Sequence, residues 1–180
     1  NKPNPAGIRA HVEAVAGATD KPIVLYNIPS RVIVNVPPEE LAALAEIDNV
    51  VAVKQANDDD LGPIEGLRVL AGNDDVYLRC LELGLAGGIL VASHLAGERM
   101  AEMRDLVATG EVERAREIDA SLKPLYEALG VTTNPMPLKA ALEMTGVCSS
   151  RMRLPMVPLS DEHRAVVRSA LERTEVPLAA

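Results

Sequence analysis

The stretch Asn49-Val50-Val51-Ala52-Val53-Lys54 (NVVAVK, 49–54) is a short β-branched run that ends abruptly in a charge. It is too short and too rich in valine for a helix, so it reads as a strand buried on both faces. The segments around it alternate in period. Upstream, KPIVLYN (21–27) is a second β-branched run, preceded by GIRAHVEAVAGAT (7–19), where Ile8, Val12 and Val15 recur at helical spacing. Between the two runs, PPEELAALAEI (37–47) places Pro38 in a first helical turn, Glu39 and Glu40 at its positive end, and an apolar stripe through Leu41, Leu44 and Ile47. Downstream, DDDLGPIEG (58–66) holds no more than a short turn, and LRVLAG (67–72) is a third strand. NDDVYLRCLELG (73–84) is a helix with Asn73 or Asp74 as its cap and Gly84 as its end, and AGGILVAS (86–93) is a fourth strand.

Past residue 95 only helical periods follow: 96–110, 111–130, 135–146 and 160–173, the last three forming an all-α appendix. Strands that alternate with helices pair in parallel, because a parallel crossover needs a dozen or more residues. Four such units fit an open sheet or half of a closed barrel, and the periods alone leave both open. Neither GxGxxG nor GxxxxGK[ST] is present, which removes the usual support for a nucleotide-binding sheet.

Composition narrows the function classes. The 180 residues are 48% apolar and 24% charged, a globular balance. There are three Tyr, no Phe and no Trp, so a base-stacking platform is lacking. The formal net charge of −8 disfavours nucleic acid and anionic membrane as partners. No apolar run is long enough to span a bilayer, and no signal peptide is visible. Cys80 and Cys148 lie far apart, fit neither metal spacing nor a disulfide framework, and point to reduced thiols in the cytoplasm. The chain starts with Asn1 rather than Met, as expected of a processed product or a piece of something longer.

Ligands of parallel α/β folds bind at the carboxyl ends of the strands, which singles out few side chains. With a side-chain period of two, Val50, Ala52 and Lys54 share a face. A lysine that continues an inward row sits in a low-dielectric site, where an amine becomes a usable nucleophile toward carbonyls. The same spacing also fits a lysine that snorkels to solvent. Tyr26 has the same parity as Val24 on its own strand. Adjacent parallel strands are about 4.8 Å apart, so phenol and amine can meet and the phenol can shuttle protons; a core tyrosine with its hydroxyl at the rim is the alternative. Arg31, in the following loop, is either a bidentate clamp for a carboxylate or a surface arginine paired with an acid. His94 reads as a hydrogen-bonded loop histidine, His11 and His163 as structural. The Asp58–Asp60 and Asp74–Asp75 runs read as helix-start charges rather than a cation site.

These residues together resemble a known family. Tyr26-Asn27-Ile28-Pro29-x-Arg31 followed by Val51-Ala52-Val53-Lys54 is similar to the dihydrodipicolinate synthase (4-hydroxy-tetrahydrodipicolinate synthase) family of class I, Schiff-base aldolases. AGNDD (71–75), GGILVAS (87–93), NPMPLKAAL (134–142) and RLPMVPLS (153–160) extend the resemblance over essentially the whole chain. It implies a (β/α)8 TIM-barrel fold with a C-terminal helical domain, and a homotetramer. Only the second half of the barrel, four βα units, is expected here, with residues 1–110 as that half and 111–180 as the helical domain. The opening NKPNP resembles the segment after the family's fourth strand, and the absent half would carry the threonine pair and second tyrosine of the proton relay.

By the same resemblance, Lys54 matches the lysine that condenses with pyruvate and Tyr26 the proton-relaying tyrosine. Arg31 matches the arginine that binds the carboxylate of aspartate semialdehyde, and Gly72 and Ile89 match positions lining the pyruvate pocket. The implied reaction condenses pyruvate with L-aspartate 4-semialdehyde on the way to diaminopimelate and lysine, with no metal or organic cofactor. Ser30 and Val32 depart from the family's usual glycine and threonine. Sister aldolases acting on N-acetylneuraminate or keto-deoxy sugar acids share the tyrosine–lysine pair, and Arg31 favours the synthase branch over them. An inactive half-barrel serving as an assembly module is the reading from a different class.

Overall fold

A computed structural model describes residues 1–179. The chain divides into two compact units, residues 1–90 and residues 91 onward.

The first unit is built on a four-stranded parallel sheet in the order β1 (Ile23–Asn27), β2 (Val50–Gln55), β3 (Arg68–Ala71), β4 (Gly87–Gly88). Sequential strands are therefore neighbours, each joined to the next by a crossover, the connection that parallel pairing demands. Helix α1 (Pro5–Ala16) precedes β1; Asn4 caps it by accepting from the Gly7 N–H at 2.9 Å. A single turn, α2 (Pro29–Val32), follows β1, and α3 (Pro38–Leu44) leads to β2, with Pro38 opening the helix and Glu39 and Glu40 in its first turn as expected.

One face of the sheet is dry. Val53, Val69 and Ala71 are essentially inaccessible, and Val12, Leu41 and Leu44 from the helices are buried. The other face carries Val24 and Tyr26, which are 47% and 51% exposed. A register shift between Ile23 and Val24 modifies the simple alternation: Ile23 pairs with Val50, but Val24 pairs with Ala52. One extra residue in β2 reverses the parity upstream of it. Val50 accordingly joins Val12 and Leu44, with Ile23 and Leu25 against them. Val50 does not share the face of Lys54, contrary to the strict alternation read from the sequence; Ala52 and Lys54 remain together.

Two other local expectations need correction. The fourth strand was expected over 86–93 but pairs only at Gly87 and Gly88, with one further bond from Ile89 N–H to the Ala71 carbonyl at 3.0 Å. β3 itself ends at Ala71, and Gly72 N–H bonds back to β2 through the Gln55 carbonyl. The segment after β3 begins as a 3-10 turn, Asp74–Val76, and the helix α4 (Tyr77–Glu82) starts only then. Asn73 does not cap it; its amide donates to Asp58 Oδ1 at 2.8 Å. Gly84 (φ +70°) ends that segment in the left-handed region, where glycine pays no steric cost.

The second unit is helical: α5 (Ser93–Thr109), α6 (Val112–Leu129), α7 (Met136–Met144) and α8 (Asp161–Arg173). Helix α6 packs on α5, α7 and α8, and α7 on α8. Their shared core is aliphatic, with Met103, Leu122, Leu125, Val167 and Leu171 fully buried. Arg99 ties α5 to the end of α8 through the Thr174 carbonyl at 2.8 Å and to α6 through Ser121. Glu143 on α7 accepts from Ser150 N–H at 3.0 Å and Ser150 Oγ at 2.9 Å, and pairs with Arg164 of α8 at 2.8 Å. Among the described residues, no helix is long and apolar enough to cross a membrane.

Candidate active site

The strand ends of the first unit bring the chemistry-bearing residues together. Tyr26 and Lys54 are register partners on β1 and β2, so their side chains leave the sheet on the same side. Lys54 Nζ lies 4.4 Å from the centroid of the Tyr26 ring, over its face. That is within the range at which an aromatic ring attracts a cation. Lys54 is partly buried, whereas Tyr26 is 51% exposed. The residue across from Lys54 on β3 is Leu70, which is also partly buried. The amine thus has an aromatic wall on one side and an aliphatic wall on the other, and the face between them is open.

Gly72 lies one residue past the end of β3, its N–H donating to the Gln55 carbonyl at 2.7 Å. A Cβ at this position would stand 2.7 Å from Ala56 Cβ and 2.8 Å from the Gln55 carbonyl oxygen. No side chain fits between the two strand ends, so glycine here lets β2 and β3 close up just beyond Lys54. Ile89 follows β4 and is 46% exposed. Pairing through the Ala71 carbonyl fixes its backbone beside Gly72. Tyr26, Lys54, Gly72 and Ile89 therefore stand in strand order at the carboxyl edge of one sheet.

Arg31 belongs to the same edge but to a different layer. It sits on α2 in the loop after β1, exposed, with its N–H bonded to the Ile28 carbonyl at 3.0 Å. The next residue but one, Ile33, has φ +72°, a left-handed conformation that a β-branched side chain adopts only under constraint. His94 is exposed on the first turn of α5, in the second unit. Cys80 is fully buried and its thiol meets the Gly87 carbonyl at 3.1 Å; burial pushes this thiol up, opposed by backbone hydrogen bonds from the Ala71 and Gly87 groups. No trio of His, Cys, Asp or Glu among the described residues is arranged to hold a metal.

Two polar residues beside this edge escaped the sequence reading. Asn27 and Gln55, each one position after a site residue, are 2% and 0% exposed, and Asn27 Nδ2 donates to Gln55 Oε1 at 2.9 Å. The signal was available: both follow an exposed-face residue by one, which sends them to the buried face, where an amide needs a partner.

Comparison with known proteins identifies the family. The Dihydrodipicolinate synthetase family matches residues 1–174. The 4-hydroxy-tetrahydrodipicolinate synthase of Archaeoglobus fulgidus is 39% identical over 183 residues, covering 98% of this chain and 63% of that protein. Its counterpart from Listeria welshimeri is 41% identical over 179 residues, covering 96% of this chain and 61% of the relative. The crystal structure of dihydrodipicolinate synthase from Aquifex aeolicus superposes with a TM-score of 0.93 at 36% identity, over 100% of this chain and 64% of that one. The chloride-inhibited enzyme from Acinetobacter baumannii, solved in complex with pyruvate, gives 0.92 at 30% identity over 98% and 63%. The chain thus spans under two thirds of the length of these relatives. A parallel sheet with tyrosine and lysine paired at its carboxyl edge, and a family match that runs from the first residue to the end of the last helix, lead to one assignment: the chain belongs to the dihydrodipicolinate synthetase family.

Proposed function

We propose that this chain carries the Schiff-base centre of a 4-hydroxy-tetrahydrodipicolinate synthase, which condenses pyruvate with L-aspartate 4-semialdehyde. The observation that supports this most is the Tyr26–Lys54 pair, with Nζ 4.4 Å from the ring centroid at the carboxyl ends of adjacent parallel strands. In this reading Lys54 Nζ attacks the keto carbon of pyruvate, the carbonyl oxygen leaves as water, and the resulting iminium accepts the electron pair when the methyl group loses a proton. The enamine so formed then attacks the aldehyde carbon of the second substrate, whose oxygen takes up a proton to become a hydroxyl, and the substrate's own amino group adds to the regenerated iminium carbon and displaces Nζ, freeing Lys54. Nζ lies over the ring face of Tyr26, and in this reading the phenol hydroxyl exchanges protons with the atoms bonded to Nζ.

Gly72 and Ile89 line the pyruvate side of the site. Arg31 binds the carboxylate of the aldehyde substrate, for which a planar guanidinium offers two parallel N–H donors. No metal or organic cofactor enters, since the iminium is itself the electron sink. The open face that carries Val24 and Tyr26 is the interior of a (β/α)8 barrel whose other strands cover it. Residues 1–110 form the second half of that barrel and 111–180 a C-terminal helical domain. A homotetramer acting in the cytoplasm is the assembly and place that the family suggests.

The test is turnover by the complete polypeptide that includes this chain. Pyruvate and L-aspartate 4-semialdehyde should be consumed together, and N-acetylneuraminate or a keto-deoxy sugar acid should not be cleaved at a comparable kcat/KM. Preferential cleavage of a sugar acid would move the protein to the sister aldolases.

A further inference from the structure

The sheet edge holds a second in-register pair, one residue beyond the first and on the opposite face. Tyr26 pairs with Lys54, and Asn27 pairs with Gln55. The first pair faces the open side; the second is buried, and its amides bond directly at 2.9 Å. A slip of one residue between β1 and β2 would turn over the slipping strand, sending its amide into the open and its site residue into the apolar layer while the other strand kept its faces. The Asn27–Gln55 bond opposes such a slip, since the amide that stays buried would lose this partner.

Asn27 does more than pair with Gln55. Its Oδ1 accepts from Val36 N–H at 3.1 Å, while its Nδ2 meets the Val36 carbonyl at 3.1 Å and Asn35 Oδ1 at 2.9 Å. With two hydrogens on Nδ2 and three acceptors around it, one contact is shared. The amide thus closes the neck of the excursion from Ile28 to Asn35, whose tip carries Arg31. Ile33, at φ +72° within that excursion, stores strain that an open neck would release. The network continues outward: Gln55 Oε1 also accepts from Asn57 N–H at 3.0 Å, and Asp60 Oδ2 accepts from Asn35 Nδ2 at 2.8 Å and Asn57 Nδ2 at 2.7 Å. Two donors converging on Gln55 Oε1 fix which end of that amide is oxygen.

We propose that Asn27 and Gln55 are positioning residues with separable tasks: Gln55 holds Tyr26 opposite Lys54, and Asn27 additionally holds the Arg31 loop, thereby setting selection of the carboxylate-bearing aldehyde. The inference rests on the function proposed above for Arg31, Tyr26 and Lys54.

Two variants of the complete polypeptide separate the tasks, with Leu44→Ala as a control for general destabilisation. Gln55→Met keeps the side chain's length and removes its amide, the Oε1 acceptor together with a buried Nε2 that bonds nothing among the described residues; kcat should fall roughly 10- to 100-fold, the scale of a 1 Å misplacement, while KM for the aldehyde stays within about threefold. Asn27→Ala should lower kcat similarly and also raise KM for the aldehyde roughly tenfold, with KM for pyruvate nearly constant. In hydrogen exchange, the amides of residues 30–36 in Asn27→Ala should exchange at least about tenfold faster while Val53 and Val69 stay protected, and Gln55→Met should leave this segment unchanged. If Asn27→Ala does not fold, Asn27→Asp serves, keeping the acceptor for Val36 and losing the donor. Unchanged exchange at 30–36, or faster exchange with an unaltered aldehyde KM, overturns the role of Asn27. Wild-type kcat in Gln55→Met, or equal effects from Leu44→Ala, overturns that of Gln55. An unsubstituted polypeptide without turnover defeats the proposed function instead, and the exchange of 30–36 then decides the loop alone.

Discussion

Lys54 Nζ stands over the ring of Tyr26, its partner in the parallel register, at 4.4 Å from the centroid. Neither residue reaches the other through a loop. Two strand ends hold them, so the separation of their backbones is set by the ladder spacing. Removing the hydroxyl while keeping the ring isolates its task. Tyr26→Phe in the complete polypeptide should retain the wall over Lys54 and lose roughly 10²–10⁴-fold in kcat, the range of general acid–base catalysis, measured by steady-state kinetics.

Arg31 is exposed on its single helical turn, so replacing it should leave stability nearly unchanged. Arg31→Ala should raise KM for the aldehyde by about 10- to 100-fold through loss of a charged hydrogen-bonded pair. Arg31→Lys should restore little of it, because an ammonium cannot form the bidentate contact. KM values for the two substrates, measured separately, check this.

Gly72 is irreplaceable for a steric reason. A Cβ there meets Ala56 Cβ at 2.7 Å and backbone oxygen at 2.8 Å, and backbone cannot swing aside. Gly72→Ala should destabilise by about 1–3 kcal/mol as an overpacked site and displace the end of β2, reducing activity. Thermal unfolding beside kinetics reads both effects. Gly97, around which no atom comes within 4 Å of an added Cβ, is the permissive control.

Glu143 gives the helical unit an acid-sensitive tie. Hydrogen bonds from Ser150 N–H and Oγ, then Arg164, hold its carboxyl below the ordinary glutamate range. A group with a lowered folded value contributes stability that is full above its unfolded value and lost as pH falls through the folded one. Unfolding midpoints should therefore drop as pH falls below the ordinary glutamate range, and less steeply in Glu143→Gln. The carboxylate is 36% exposed, so the effect should be modest and shrink with added salt.

The parallel architecture and the tyrosine–lysine meeting were legible because they depend on period. VVAVK ends in Lys54 and IVLYN carries Tyr26 next to its end, so both stand where ligands of parallel sheets bind, and the register puts them on one face. Val50 was misplaced because one extra residue in β2 reverses parity, and nothing in a run of valines marks where. AGGILVAS shrank to a two-residue strand since pairing depends on the partner, and β3 ends at Ala71. Asn27 and Gln55 were passed over because polar residues at strand ends resemble loop residues until their burial is known.

The most direct measurement is reductive trapping. The complete polypeptide is incubated with pyruvate and borohydride, digested, and its peptides are weighed. A reduced pyruvyl group is expected on Lys54 and on no other lysine, and none after Lys54→Arg. An unmodified Lys54 alongside protein that is folded and saturated with pyruvate, or the adduct on a different lysine, would contradict the role given to Lys54.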